Sequence, residues 1–386
     1  MSVPRRKEEI EVLRALGVLL VIFEHINTLL FWRTENFGDY VNAYGGVDLF
    51  FCVSGFVITS AFGASITEAA TTANRYWPTV LAFWVRRIYR ILPLAWTVLF
   101  VNLVVTLLVF GHGLLGFVGD FLSVFLYIEN FHYAQCVVAA SKYCGPNGIY
   151  WSLSLEEQFY LAFPFLLLLP RRYAVAALVA IVLVFAVLPR TTLVWMVRLD
   201  AIALGVLLAF AMPFQSYRVF EPRALASTAL RWPIVAILLT ALVVVPAGAG
   251  LVTFFPTIVS LIALGLVFVA SYDKGYLMPV GAARTVMVWV GQRSFALYLL
   301  HNTVFWIIRG AANRLFPGAA HGGIAVICYL ASAAILLALA SDLSFRLLET
   351  PLRRRGQRIA ARILEQPTVA DVTCPDQLRP RRAAAR

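Results

Sequence analysis

"LRALGVLLVIFEHI", residues 13–26, is apolar enough to cross a bilayer, yet it carries Arg14, Glu24 and His25. An ionisable group at helix-centre depth costs about 3 kcal/mol on insertion scales, so a span that keeps three of them points to chemistry as well as anchoring. The composition around it is that of a polytopic membrane protein: 61% of the 386 residues are hydrophobic and 13% are charged, against roughly half and a quarter in soluble domains. The basic start "MSVPRRKEE" precedes a run that lacks a small-residue cleavage motif, and many further apolar runs follow. It reads as a retained first span, not a signal peptide.

Formal charge of +12 invites a nucleic-acid reading. That reading fails, because the basic residues sit at span ends and in a tail, without a patch of interleaved aromatics. Membrane orientation accounts for them. Apolar stretches of spanning length fall at about 11–32, 46–65, 88–111, 151–169, 173–189, 199–214, 232–247, 251–271, 286–308 and 323–347. The positive-inside rule then puts six clusters on the cytoplasmic side: Arg5 to Lys7, Arg86 with Arg87 and Arg90, Arg171 with Arg172, Arg218 with Arg223 and Arg231, Lys274 with Arg284, and Arg353 to Arg355. The expectation is an all-α polytopic bundle of about ten transmembrane helices with both termini cytoplasmic, multi-pass in a bacterial inner membrane. Residues 1–352 form the membrane domain, and 353–386 form a basic cytoplasmic tail, partly disordered, that touches anionic lipid headgroups.

Residues 114–131, "LLGFVGDFLSVFLYIENF", resemble another span but carry Asp120 and Glu129, and counting them would move most later basic clusters outside. They read as an interfacial or re-entrant helix on the outer side. That leaves "CVVAASKYC" in the longest outer loop, where Cys136 and Cys144, beside Gly145 and Pro146, fit a disulfide in an oxidising periplasm. Cys52 and Cys328 read as buried apolar fillers, and His112, His132 and His321 as loop histidines.

Arg14 and His25 are eleven residues apart, three turns plus a small remainder, so they share a helix face about 16 Å apart along the axis. Glu156 and Glu157 in "YWSLSLEEQFYLAFP" lie about two turns below the outer surface, and Asp48, Asp200 and His301 come at similar depth in their own spans. Such convergence marks a functional site or a wet cavity. A histidine beside a carboxylate suits general-base work, and Glu156 or Glu157 is expected to orient His25. Arg87 and Arg90, three apart at a helix end, suit phosphate oxygens, although singly they would serve orientation. Asp48, next to Gly45 and Gly46, fits a helix cap equally well, and Glu156 and Glu157 fit pairing with Arg198 or a proton path. Gly55 fits close helix packing. No metal site is expected.

In order along the chain stand "LRALGVLLVIFEH", "GGVDLFFCVSGFVIT", "RRIYRILP", "WSLSLEEQFYLAFP", "RLDAIALGVLLA", "GQRSFALYLLHN" and "LSFRLLETPLRR". With these seven pieces in register, residues 8–355 resemble the membrane acyltransferase family called acyltransferase 3. The resemblance implies ten spanning helices, an acyl donor on the cytoplasmic side that is usually acetyl-CoA and is not permanently bound, and O-acylation of a cell-surface carbohydrate. By position it implies that Arg14 and His25 are essential, that Arg87 and Arg90, with Arg86, meet the donor, and that Glu156 is the motif glutamate in preference to Glu157. Asp48, Ser152, Glu157, Tyr160, Asp200, Tyr298 and His301 would line or support the acceptor side. Some members add an extracytoplasmic esterase-like domain. The sequence ends about thirty residues past the last motif, so the acceptor, free or lipid-linked, is expected to meet the membrane domain or a separate partner. Transfer is either direct or through an acyl-enzyme. The rival readings are a macrolide-like acceptor within the same class and, outside it, a solute or proton-coupled transporter.

Overall fold

The computed structural model describes residues 7–26, 29, 41–72, 74–110, 115–139, 147–189, 191–247, 254–315 and 324–365. Among them the chain is helical, with no strand. Helix α1 is Glu8–Glu24; α2 is Gly45–Ile58, which runs through a π turn, Thr59–Gly63, into α3, Ala64–Thr71. Then come α4 Tyr76–Phe110, α5 Leu115–Phe125, α6 Glu129–Val138, α7 Tyr150–Leu166 and α8 Arg171–Val187. A short α9, Thr192–Val197, leads into α10, Asp200–Ala211, and α11 Gln215–Val219 precedes α12, Thr228–Ala247. The chain continues with α13 Phe255–Ala270, α14 Ala282–Gln292, α15 Ser294–Leu315, α16 Ile324–Ser344 and α17 Thr350–Glu365.

Among the described residues five helical stretches are long and apolar enough to cross a membrane: Gly45–Thr71, Tyr76–Leu108, Thr192–Ala211, Thr228–Ala247 and Ile324–Glu365. Three further expected spans, α1, α7 and α8, are 17 residues each. Outward faces of α12 and α16 present Ile237, Val244, Ile327, Ile335 and Leu339, side chains that lipid tails solvate and water does not. Cys328, expected as a buried filler, is exposed on this same side of α16, while Cys52 is buried.

Small residues draw α2 and α10 together at the centre. A methyl group at Gly55 would overlap the carbonyl oxygen of Ile202, and one at Gly205 the carbonyl oxygen of Cys52, so each helix lies in a groove cut by the other's glycine. Gly205→Ala must push the two backbones apart. Overpacking of this kind costs about 1–3 kcal/mol, and the protein in detergent micelles is expected to melt at lower temperature; an unchanged melting point would contradict the tight crossing.

Three expectations about the spans need correction. The third span starts not at 88 but at Tyr76, because "YWPTVLAFWV" continues the apolar helix, and Arg87 and Arg90 therefore lie well inside α4, not at its end. At 35 residues α4 is about 52 Å long, which exceeds a hydrocarbon core of about 30 Å. Against its protruding part packs α17, with Gly356 set on the ring of Tyr89 and Ala360 fully buried. Residue 353 thus falls inside a docked helix, and residues 366–386 lie outside the described residues.

The ninth span is broken at Arg293. Gly291 seats α14 against the backbone of Glu11 in α1, and Arg293 turns out of the helical path to pair with Asp342 at 2.6 Å while stacking over Trp289 and Phe345. Residues 114–131 form no single helix: α5 ends before Tyr127, whose φ of 58° reverses the chain into α6. Cys136 in α6 is disulfide-bonded; Cys144 lies outside the described residues, as do His112 and His321.

Candidate active site

One cavity opens between α1, α2, α4, α7 and α15. Helix α7 supplies Ser152, Glu156 and Tyr160 at four-residue spacing, which puts them on one face. Arg14 enters from α1, Arg87 and Arg90 from one face of α4, and Ser294 and Tyr298 from α15. Phe50 and Phe51 of α2 close the side. Three guanidinium groups and one carboxylate thus share a single lined space.

Glu156 accepts hydrogen bonds from Ser54 and Tyr160, whose hydroxyls also meet each other. Tyr160 is 4% and Ser54 6% exposed, so this triad is held away from bulk water, where a hydrogen-bonded network is strengthened by the low local dielectric. Arg87, 7% exposed, lays its guanidinium over the rings of Tyr160 at 5.2 Å and Phe62 at 5.4 Å, and its Nε has no hydrogen-bond partner among the described residues. The rings hold the cation by their negative faces and leave donors for an anion. Arg14 stands 3.8 Å from Glu11. Arg86 lies outside the cavity, over Phe62 at 5.6 Å.

His25 is not oriented by Glu156, whose carboxylate is engaged by Ser54 and Tyr160. Its Nδ1 lies 2.8 Å from the carbonyl oxygen of Val21, one turn back. A carbonyl can only accept, so the ring proton is on Nδ1 and the lone pair is on Nε2. The imidazole sits 5.0 Å from that of His301, which is 5.9 Å from the ring of Tyr298 in the cavity wall. His301 repeats the device: Nδ1 donates to the carbonyl of Tyr298 at 2.6 Å, and Nε2 is buried without a partner among the described residues. By these contacts His25 is two rings back from the cavity, behind His301 and Tyr298, with a basic nitrogen on Nε2.

Ser152 and Tyr298 join hydroxyls at 2.6 Å, and Tyr298 also donates to the carbonyl of Ile149. Both line the cavity. Glu157 does not line it; its Oε1 is buried without a partner among the described residues. Asp48 and Asp200 do not line it either. Arg198 donates to Asp48 at 2.6 Å, and Ser260 lies 3.4 Å from Asp48 and 3.2 Å from Asp200. All four are at most 1% exposed. They tie α2, α10 and α13 together, because an unpaired charge at that depth is too costly to leave.

Ser54 escaped the reading of the sequence, since a serine in an apolar run carries no spacing signal. A second polar group escaped as well. Asn147 donates to Asp120 at 2.5 Å, Asn102 donates to Asn147 at 2.8 Å, and Thr303 donates to Asn102. His132, expected as a solvated loop residue, instead lies in α6 with Nδ1 3.1 Å from the buried Glu129.

Comparison with known proteins gives a consistent answer. The family model described as an acyltransferase domain matches residues 7–342. O-acetyltransferase OatA of Staphylococcus aureus strain NCTC 8325 / PS 47, and the protein of that name in strain COL, are each 25% identical over 388 residues, 92% of this chain. The match is 58% of each relative, so this chain spans little more than half the length of the curated relatives it matches. No solved structure gives a significant match. A match over most of the chain, on the helices that build the cavity, shows that this protein belongs to the acyltransferase family whose model covers residues 7–342.

Proposed function

We propose that this protein is a multi-pass O-acetyltransferase of a bacterial inner membrane, with ten spans and cytoplasmic termini, which moves an acetyl group from cytoplasmic acetyl-CoA to a hydroxyl of a cell-surface carbohydrate. The observation that carries the reading is the single cavity lined by Arg14, Arg87, Arg90 and the Glu156–Tyr160 pair, with a histidine of defined tautomer close behind its wall. The names of the relatives, O-acetyltransferases, support the acetyl group.

In this reading the arginines hold the phosphates of the donor, and the pantetheine arm carries the thioester toward Tyr298 and His25. Nε2 of His25 takes the proton of the acceptor hydroxyl as its oxygen attacks the thioester carbonyl. The new C–O bond forms, the C–S bond breaks, and the imidazolium returns the proton to the departing CoA thiolate. Glu156, with Ser54 and Tyr160, supplies an anionic, hydrogen-bonded wall that positions the acceptor.

Membrane vesicles given labelled acetyl-CoA are expected to transfer label to surface glycan. Solute flux that needs no thioester, without such transfer, would replace the enzyme reading with a transporter. Arg87→Ala removes one charge-assisted contact worth about 1.5–3 kcal/mol, so KM for acetyl-CoA should rise about 10- to 100-fold. An unchanged KM would reject donor docking at this residue.

A further inference from the structure

The polar cluster on α5 and α6 takes no part in the chemistry above. From Arg90 to Asn102 along α4 is twelve residues, about 18 Å, so this cluster sits toward the opposite end of the bundle from the arginines. Asp120 comes from α5, and Glu129 and His132, three apart, from one face of α6. The positive φ of Tyr127 folds the two helices against each other.

One donor atom from each of the three side chains lies within 4.8 Å of the other two. Asp120 is 1% and Glu129 0% exposed. Each carboxylate has an oxygen, Oδ1 of Asp120 and Oε1 of Glu129, with no hydrogen-bond partner among the described residues. Two buried carboxylates with orphaned oxygens side by side repel each other and lack solvation, which is relieved by protonation of one of them or by a cation between them.

We propose that Asp120, Glu129 and His132 form a binding site for a divalent transition-metal ion of the zinc type. The 3.1 Å between Nδ1 of His132 and Oε2 of Glu129 is the separation of two ligands at bonds of about 2.1 Å and an angle of about 95°. An imidazole among the donors selects Zn²⁺ over Mg²⁺ or Ca²⁺, which favour oxygen alone. An outer shell is already in place: Asn147 donates to Asp120 and is held by Asn102, and Ser123 donates to Glu129. Such partners fix the orientation of ligating carboxylates. The side chain of His132 is 28% exposed, which leaves a path for the ion and room for a water ligand. The ion would pin α5 and α6 onto α4 and α7, beside the disulfide at Cys136.

Zinc titration of the purified full chain in nanodiscs, after chelator treatment, tests this by calorimetry and by melting temperature. The expected result is one Zn²⁺ bound per chain with a raised melting temperature, and at least 100-fold weaker binding in Asp120→Asn and in His132→Ala, with Glu221→Gln as an unaffected control. His132 is partly exposed, so its variant should fold, and the wild-type titration stands without any variant. Absence of stoichiometric Zn²⁺ binding to the wild type, equal affinity in His132→Ala, or tighter binding of Mg²⁺ than of Zn²⁺ would each overturn the site.

Discussion

Alanine at position 25 is expected to lower acetyl transfer about 100- to 10,000-fold, the range that a positioned general base contributes. The geometry makes the loss specific. Val21 holds the Nδ1 proton, so Nε2 has the lone pair, and no other imidazole occupies that position; His301, 5.0 Å away, has its own Nδ1 bound to Tyr298. The donor arginines are untouched by the change, so KM for acetyl-CoA should stay within about threefold while kcat falls, the pattern of an interaction made in the transition state. Added imidazole should restore part of the rate by filling the space left behind. A His25→Ala enzyme with near wild-type turnover would end the base assignment, and a loss confined to KM would recast the histidine as a binding residue.

Arg198→Met is expected to be the most destabilising single change outside the cavity. Breaking a buried pair from one side costs about 3–5 kcal/mol because the partner's charge stays buried. Here Asp48 accepts the arginine's hydrogen bond directly, and Asp48 and Asp200 converge on Ser260, which has one proton to give. Removal of the cation leaves both acids facing each other without compensation. Asp48→Asn should cost less, since it also removes the repulsion between the two acids that share Ser260, and the double variant Asp48→Asn with Arg198→Met should be more stable than Arg198→Met alone. Unfolding in detergent measures the order. Equal losses for both single variants would contradict the shared pairing, and a loss of activity in well-folded Asp48→Asn would return Asp48 to the acceptor side.

Much of the candidate site was legible because polar residues in apolar runs are conspicuous. Arg14, Arg87, Arg90, Glu156, Tyr160, Ser152 and Tyr298 all meet at the cavity, and each stands out against helices that otherwise need no such groups. Asp48 and Asp200 stand out just as clearly, yet they serve packing, because depth in a span says how costly a charge is and not which neighbour relieves it. Arg198, read merely as one possible partner for Glu156, turned out to be that neighbour. The partner of His25 was misread for a related reason: a carboxylate on another helix was the obvious donor of orientation, but the backbone one turn below was nearer. Asp120 and Glu129 were read on one interfacial helix and His132 in a loop, and only the reversal at Tyr127 brings the three together.

The amino-acid sequence by itself determined that this chain is an all-helical membrane protein with charged groups at a common depth, since apolar length and charge placement answer to the bilayer, which acts on each segment separately. Which charges face one another was decided by the tertiary structure. That choice depends on helix rotation, on the glycine contacts that set how near α2 and α10 approach, and on where helices stop, as at Arg293 and Tyr127. These are set by packing between segments far apart in the chain, and no periodicity within one segment records them.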